Sequence, residues 1–289
     1  MQVLNGLIFS SILTASLFAG AEVTPEELNT SEEQNYGILE NSHFHFTSYY
    51  TPREVKGDIG RQNSLSSVQA ELIATADTLD LGDSKGLMYT LGAQYENWIL
   101  GFTYMPSTFE DEGNGNAIVA LQGSNGNGVL TKLGATTTVD IDMYLANVLY
   151  EVVKTPNTSL KVGVGLGSSV VTFNVTPEST HIGGIAYDGS EPFGFLTVNM
   201  MNTYNDFSYG FNVNGVNMEI DNTTVEYSDF TFQGGYRFYE KKRFKADVIA
   251  GFRQVNFALT TKSEDDIVGH IYDVDLTLSG PFIGFTLSY

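Results

Sequence analysis

The sequence lacks cysteine and is poor in basic residues, with 14 Lys and Arg against 34 Asp and Glu and a net charge of −20. The absence of cysteine excludes a disulfide framework and a lipid-anchored N-terminal cysteine. Without a basic stripe to neutralise phosphates, the chain is not expected to bind nucleic acid. The excess of acidic groups is typical of a solvated surface that keeps a protein soluble and monomeric.

Long apolar runs are also missing. After residue 21, no stretch reaches the ~20 apolar residues that a membrane-spanning helix needs. The chain is instead rich in glycine and aromatic residues, with 30 Gly, 16 Tyr and 19 Phe. This composition favours many strands with an aromatic surface over helices. Such a chain can cross a bilayer only as a closed barrel, because a closed barrel pairs every backbone polar group without water.

The N-terminal 41 residues are predicted to precede the folded domain. Residues 1–21 are expected to be a cleaved signal peptide, with an apolar core and an A-x-A cleavage site at Ala19-Gly20-Ala21. Residues 22–41 carry several glutamates among Thr, Asn and Ser, without periodicity. We expect an acidic periplasmic leader with little order there, followed by a barrel domain over residues 42–289.

From residue 42 onward, apolar and polar residues alternate in a pattern that repeats as hairpins. Apolar residues occupy every second position on both sides of short turns at 96–97, 154–158, 204–206 and 240–243. Longer connections rich in Gly, Asn and Asp are predicted at 58–85, 107–130, 176–193 and 262–269, with a short one at 219–222. The pattern predicts an all-β fold, a closed antiparallel transmembrane β-barrel of about ten strands, with eight to twelve possible. Its turns should be short on the periplasmic side and its loops longer on the extracellular side.

The alternation changes phase within several strands. In the last strand, the apolar residues fall on even numbers before Gly280-Pro281 and on odd numbers after it. Similar changes occur near Gly215, near Ser168-Ser169 and near Arg253-Gln254. Because a slip of one residue exchanges the two faces of a strand, each change predicts a bulge or bend. We expect the strands to continue above the membrane as a bulged extracellular extension.

Aromatic residues cluster beside the short turns. They are predicted to form the periplasmic girdle, where an amphipathic ring is satisfied at the lipid headgroups. The candidates are Tyr95, Trp98, Tyr150, Tyr204, Phe207, Phe238 and Tyr289.

Charged and polar residues on the opposite face are predicted to line the lumen. The candidates are Glu151, Lys161, Gln233, Arg237, Lys245 and Asp247, with Asp140, Asp142, Asp273 and Asp275 higher up. Charges in a narrow lumen are costly unless they are paired, so acids and bases should lie together. A structural salt-bridge plug and the lining of a selective pore both fit this set. The inward Gly163, Gly165 and Gly167 should make room for long neighbouring side chains.

Constellations for catalysis or metal binding are weak. His43 and His45 share a face of the first strand, and His181 and His270 lie in or near loops, but no Ser/His/acid set is fixed locally. We therefore predict no enzymatic activity, no catalytic residue, no metal site and no cofactor. The acidic runs 110–112 and 264–266 are predicted to be solvated loop tips. The alternative is that they hold divalent cations among lipopolysaccharide phosphates.

The C-terminal part of the chain resembles a known family. Gly234-Gly235-Tyr236-Arg237 is followed by Asp-rich residues 273–279, Gly280-Pro281-Phe282 and a final aromatic, Tyr289. This combination resembles the small Gram-negative outer-membrane proteins that carry a Gly-Gly-Tyr-Arg strand and a Gly-Pro-aromatic, aromatic-terminated last strand. The resemblance covers roughly residues 220–289 and implies a monomeric outer-membrane barrel. The family has no established activity to carry over, and its last residue is more commonly Phe.

These observations predict an integral outer-membrane protein with a structural or surface-interaction role and a polar, mostly plugged lumen. One alternative is a narrow porin-like channel for small solutes. Another is a lipid-modifying barrel enzyme, which requires a His beside a Ser or acid at the outer rim. The expected partners are outer-membrane lipid, lipopolysaccharide and, through the C-terminal strand, the barrel-assembly machinery.

Overall fold

The structure is a computed structural model, and it describes residues 42–65, 68–75, 84–110, 116–123, 128–177, 185–220, 223–263 and 269–289. Both N-terminal predictions, the signal peptide at 1–21 and the acidic leader at 22–41, lie outside these residues. Within the described ranges, no helix is long and apolar enough to cross a membrane.

The described residues form twelve β-strand segments. In chain order they are β1 Ser42–Leu65, β2 Val68–Thr75, β3 Ser84–Tyr95, β4 Trp98–Glu110, β5 Asn116–Gly123, β6 Gly128–Lys154, β7 Thr158–Pro177, β8 Ile185–Tyr204, β9 Phe207–Ile220, β10 Thr223–Lys241, β11 Phe244–Ser263 and β12 Gly269–Ser288.

The twelve segments build a closed barrel of ten antiparallel strands. Both β4 and β5 pair with β6, one after the other along its length, so they form a single interrupted strand. On their other side, β3 pairs with β4 and β2 pairs with β5, which makes β2 and β3 a second interrupted strand. The barrel closes where β1 pairs with β12, from His45 opposite Ser288 to Ser64 opposite Gly269. The prediction of a closed antiparallel barrel of about ten strands is confirmed.

Short turns join the strands at the end that also carries Tyr289. Two-residue turns link β3 to β4, β8 to β9 and β10 to β11, and each starts with a residue in the left-handed region: Glu96, Asn205 and Lys242. Since short turns mark the periplasmic side of such barrels, this end is the periplasmic one.

The outer face near the periplasmic end is apolar. On β11, Phe244, Val248 and Phe252 are exposed, whereas Ile249 on the other face is buried. Nine residues of strand, as in 244–252, rise about 22 Å at a tilt of about 40°, close to the height of a membrane barrel's apolar band. All ten strands contribute to this belt: examples are Tyr50, Leu91, Leu100, Val148, Val164, Leu196, Tyr209, Phe232, Phe252 and Ile283. A closed barrel with such a belt is an integral outer-membrane protein.

Above the belt, the apolar residues face inward. On β12, Val274, Leu276 and Leu278 are fully buried, while Asp275 between them is exposed. These side chains join a hydrophobic core that includes Phe109, Ile141, Phe173, Tyr227 and Phe257. Outside this level the barrel meets water, so apolar side chains gain free energy only by turning inward.

The phase changes in the sequence do not mark bulges, so that part of the prediction is wrong, but pairing is interrupted at two of them. The β1–β12 ladder keeps its register but lacks pairs between Tyr50–Ile283 and Glu54–Ser279, and the β8–β9 ladder ends at Leu196 opposite Gly215. The β11–β12 ladder continues in register through Arg253 opposite Gly280 and Gln254 opposite Ser279. The β9–β10 ladder does the same through Gly215, as does the β6–β7 ladder through Ser168 and Ser169. In the ladders of the described strands, register shifts occur only near the periplasmic end, between Glu151 and Val153 and between Arg237 and Tyr239. The backbone keeps its register, and the surrounding solvent changes.

The extracellular connections are also shorter than predicted. Residues 58–65 pair with 68–75, and residues 116–122 pair with 128–134, so much of the expected loops at 58–85 and 107–130 is strand. On β12, the twelve residues 269–280 above the belt add about 30 Å of height at a tilt of about 40°. The protein thus extends outward as a continued barrel rather than as long loops.

Glycines on β7 make room for two aromatic rings of β8. A Cβ on Gly165 would overlap the ring of Phe195, and one on Gly167 would overlap the ring of Phe193. At Gly165 the added atom would also lie 2.7 Å from the backbone oxygen of Ala146. The prediction that these inward glycines accommodate large neighbours is confirmed.

We predict that Gly165→Ala lowers the unfolding free energy by about 1–3 kcal/mol, because the methyl group overpacks the interior. Urea unfolding in lipid vesicles, followed by circular dichroism, measures this loss. Gly194→Ala is the matched control, since its nearest neighbour to the new Cβ would be 3.8 Å away. Adding Phe195→Leu should restore part of the loss; equal effects of the two Gly substitutions would contradict this packing.

Candidate functional site

A buried ionic cluster lies inside the barrel where the apolar belt gives way to the upper core. Asp229 on β10 and Arg253 on β11 form its centre. The Arg253 guanidinium donates from Nε to Asp229 Oδ1 at 2.9 Å and from Nη2 to Oδ2 at 2.7 Å. Asp229 is 1% exposed, and the Arg253 side chain is 11% exposed. This two-point pairing is the strongest geometry available to an Arg–carboxylate pair.

The Asp229 carboxylate is saturated by further donors. Asn214 on β9 donates from Nδ2 at 2.9 Å, the Tyr227 hydroxyl donates at 3.2 Å, and Thr231 donates from Oγ1 at 3.4 Å. Burial and the adjacent carboxylate raise the pKa of Tyr227 well above its usual value. The phenol therefore stays protonated and remains a donor.

A second arginine, Arg53 on β1, belongs to the same cluster. Its Nη1 donates to the backbone oxygen of Pro106 at 2.9 Å and to Ser107 Oγ on β4. Arg253 also reaches across to Met88 Sδ on β3, and the two guanidinium groups are close enough to repel each other. Arg53 and Arg253 thus span strands on both sides of the β1–β12 closure. We call Arg53, Asp229 and Arg253 the central cluster.

The interior is densely packed around the central cluster. Each of the ten strands contributes an inward side chain that is at most 5% exposed. These side chains, which we call the ring, are Arg53, Met88, Met105, Met143, Ser169, Phe193, Asn214, Tyr227, Val255 and Leu278. Their low exposure leaves little room for a continuous water-filled passage between them.

The lower part of the interior contains the predicted polar residues of β6 and β7. Glu151 is buried and accepts hydrogen bonds from Ser159 Oγ and, at 3.4 Å, from Gln94 Nε2. Lys154 Nζ lies 3.1 Å from Glu151 Oε2, the oxygen that also accepts from Gln94, and Lys161 stands directly opposite Glu151 on β7. The acid and the bases of this group therefore lie together.

A second polar group occupies the lower parts of β10 and β11. Arg237 donates from Nε to Asp247 at 3.1 Å and from Nη1 to Glu240 at 3.1 Å. Lys245 lies 3.7 Å from Glu240. Gln233 is partly buried higher on the same strand, between Gly210 and Gly251 of the neighbouring strands. These groups are spread along the lower wall and are separate from the central cluster.

The predicted acidic residues of the upper lumen are corrected. Asp275 is exposed on the outer face of β12, because Val274 and Leu276 occupy the inner face. Asp140 and Asp142 likewise alternate with the buried Val139 and Ile141 of β6 and so face outward. The side chain of Asp273 lies outside the described part of the structure. The upper interior is apolar rather than polar, because at this level the outer face of the barrel wall is in contact with water.

The seven predicted girdle residues are all exposed and lie beside the periplasmic turns or at the chain end. Trp98 and Tyr150 meet edge to face, with ring centroids 5.0 Å apart. Arg243 lies over the Tyr289 ring, 5.4 Å from its centroid.

The described histidines lie at the periplasmic end of β1. His43 is exposed, and His45 packs against Gly92. In the described part of the chain, neither has a hydrogen bond to a Ser, Asp or Glu side chain, and no three His, Asp or Glu side chains gather into a possible metal site. His181, the side chain of His270 and most of both acidic runs lie outside the described residues.

Sequence reasoning missed the central cluster, although the signal was present. Asp229 falls in the same alternation phase as Gln233 and Arg237, and Arg253 in the same phase as Lys245 and Asp247. If the inward alternation of the lower strand had been continued past the phase change, Asp229 and Arg253 would both have been predicted to face the interior. Arg53 could not have been joined to them, because its contacts cross from β1 to β4.

No protein-family model matches the chain, and no curated protein matches it. Several solved structures are similar to the chain. The outer membrane protease OmpT from Escherichia coli is 12% identical with a TM-score of 0.46, covering 86% of this chain and 97% of its own. The outer membrane protein AlkL, solved in lipid bilayers, is 12% identical with a TM-score of 0.38, covering 86% and 90%. Ail of Yersinia pestis is 10% identical with a TM-score of 0.31, covering 86% and 97%. All three are outer-membrane barrels, and their functions do not transfer at this similarity.

We predict that Asp229→Asn lowers the unfolding free energy by about 3–5 kcal/mol, because it leaves the buried Arg253 without its counter-charge. The double variant Asp229→Leu/Arg253→Met should recover most of that loss. Lys56→Met is the control, since it breaks the exposed Lys56–Glu54 pair and should cost at most about 1 kcal/mol. Urea titration of the three variants measures these values, and a double variant no better than Asp229→Asn would refute the pairing.

Trp98, the sole tryptophan, gives a direct test of the periplasmic girdle. Its fluorescence in vesicles should be quenched more by lipids brominated near the carbonyl end than by lipids brominated near the chain end, because girdle rings lie at the headgroup level. Strongest quenching from the chain ends would place Trp98 in the hydrocarbon centre instead.

Proposed function

We propose that this outer-membrane barrel is a non-conducting scaffold that presents a rigid β-structured extension at the cell surface. The observation that carries the proposal is the ring of ten buried side chains, one from each strand, around the central cluster. A solute pathway needs a water-lined or ligand-sized passage, and this ring leaves little room for one.

The upper core adds to this argument. Phe109, Phe173 and Phe257 are each 1% exposed although they come from strands in different parts of the wall. A channel mouth would instead be polar, because solutes and water must enter there. The polar groups of the lower interior thus lie beneath an apolar core, which favours a structural role over transport.

The outer surface above the belt supplies the proposed site of interaction. It carries exposed charged and polar side chains such as Glu54, Lys56, Asp188 and Glu226. Lipopolysaccharide is the proposed neighbour at the lower edge, where carboxylates such as Asp142 can share divalent cations with its phosphates. Within the membrane belt the closed sheet has no free strand edge, so we propose a monomer. We also propose that the assembly machinery engages the C-terminal strand β12.

A catalytic role is not part of the proposal. The two described histidines lie at the periplasmic end, whereas a lipid-modifying enzyme needs its His at the outer rim. Ser288 is the cross-strand partner of His45, but among the described residues neither histidine has a hydrogen bond to a Ser, Asp or Glu side chain. We therefore propose that the protein is not an enzyme and uses no cofactor.

We predict that the purified protein gives no stepwise conductance in planar lipid bilayers. A general porin in the same bilayer serves as the positive control for insertion and detection. Regular steps from the wild-type protein would overturn the scaffold proposal. If those steps changed in Arg237→Ala or Glu151→Gln, the lower polar groups would line a conducting pore.

A further inference from the structure

We infer that the central cluster binds a small anion at Arg53. The ligand would be a halide or a small carboxylate or other oxyanion that accepts hydrogen bonds from the guanidinium. The site lies inside the barrel, next to Ser107 and the Asp229–Arg253 pair.

The charges of the central cluster do not balance. The central cluster contains two arginines and one aspartate, and an arginine keeps its charge in proteins. Asp229 is already engaged by both Nε and Nη2 of Arg253 and by three neutral donors. Among the described residues, no carboxylate lies within ion-pair distance of Arg53. The cluster therefore holds one positive charge that the described side chains do not neutralise.

The Arg53 guanidinium also has a hydrogen-bond donor without an acceptor. Arg53 is 4% exposed, and its Nη2 is buried without a hydrogen-bond partner. Its other terminal nitrogen, Nη1, contacts only uncharged acceptors, Pro106 O and Ser107 Oγ. Guanidinium groups have five N–H donors in a planar fork that suits an anion.

Bound water alone does not remove the difficulty. A water molecule can accept from Nη2, but it adds no charge, and an uncompensated ion in a protein interior carries a large desolvation cost. An anion satisfies the donor and the charge together. It also relieves the repulsion between Arg53 and Arg253. The charge balance, rather than the open donor alone, therefore points to an anion.

The direct test uses bromide as the probe on the wild-type protein. Crystals grown in bromide should contain an anomalous peak at hydrogen-bond distance from the Arg53 guanidinium. Absence of that peak, in crystals that diffract well enough to place Arg53, together with no saturable effect of chloride or formate on unfolding, would overturn the inference.

Thermal unfolding in detergent micelles then separates an anion site from a purely structural arginine. At constant ionic strength, replacing gluconate by chloride or formate should raise the wild-type midpoint by about 5 °C at a 100-fold excess over the dissociation constant. Chloride and formate are separate arms, and they distinguish a halide from a carboxylate ligand.

Arg53→Met should abolish this dependence and be at least as stable as the wild-type protein in gluconate, because it removes an uncompensated buried charge. Lys56→Met, which removes an exposed cation of the same strand, should keep the dependence unchanged. If Arg53→Met is destabilised equally in every salt while the anion dependence persists, the anion does not bind at Arg53. If the variant does not fold, the bromide experiment on the wild-type protein decides.

Discussion

The change of solvent along the outer wall, from lipid to water, is the constraint on which the rest of the structure depends. Within the bilayer, backbone pairing must continue around the closed wall, because no unpaired polar group is tolerated there. The side chains must meanwhile exchange faces where lipid ends. The barrel satisfies both demands with a continuous register, as at Arg253 opposite Gly280, and with a sequence whose apolar phase alone is inverted.

The central cluster sits at this exchange level and reflects it. Below it, the exterior is apolar and the interior holds polar groups together with buried apolar side chains such as Leu149 and Ile249. Above it, the interior is a hydrophobic core. At the boundary, the polar groups of the lower interior meet the apolar side chains of the upper core. Long guanidinium side chains from β1 and β11, one held by Asp229, bridge the two regions and join strands that the chain order separates widely. The ionic contacts thus have a positional role that ordinary surface pairs lack.

Much of this fold could be predicted from the sequence, and the failures share one cause. Alternation located the short turns at 96–97 and 204–206 and the approximate strand number, because these depend on local pattern and lie in or beside the belt. The predictions for Asp142 and Asp275 failed because one rule, polar residues inward, was carried past the level where lipid ends. Arg53 was missed for another reason: its partners on β4 are set by barrel curvature and shear, which alternation does not report.

The closing ladder between β1 and β12 has a consequence for how the protein is made. Phe44 and Tyr289 exchange backbone hydrogen bonds of 2.9 and 2.8 Å across almost the whole length of the chain. No chain that lacks β1 or β12 can form this seam. Contacts of such high sequence separation are slow to form. Until the seam forms, β1 and β12 remain open edges of the wall.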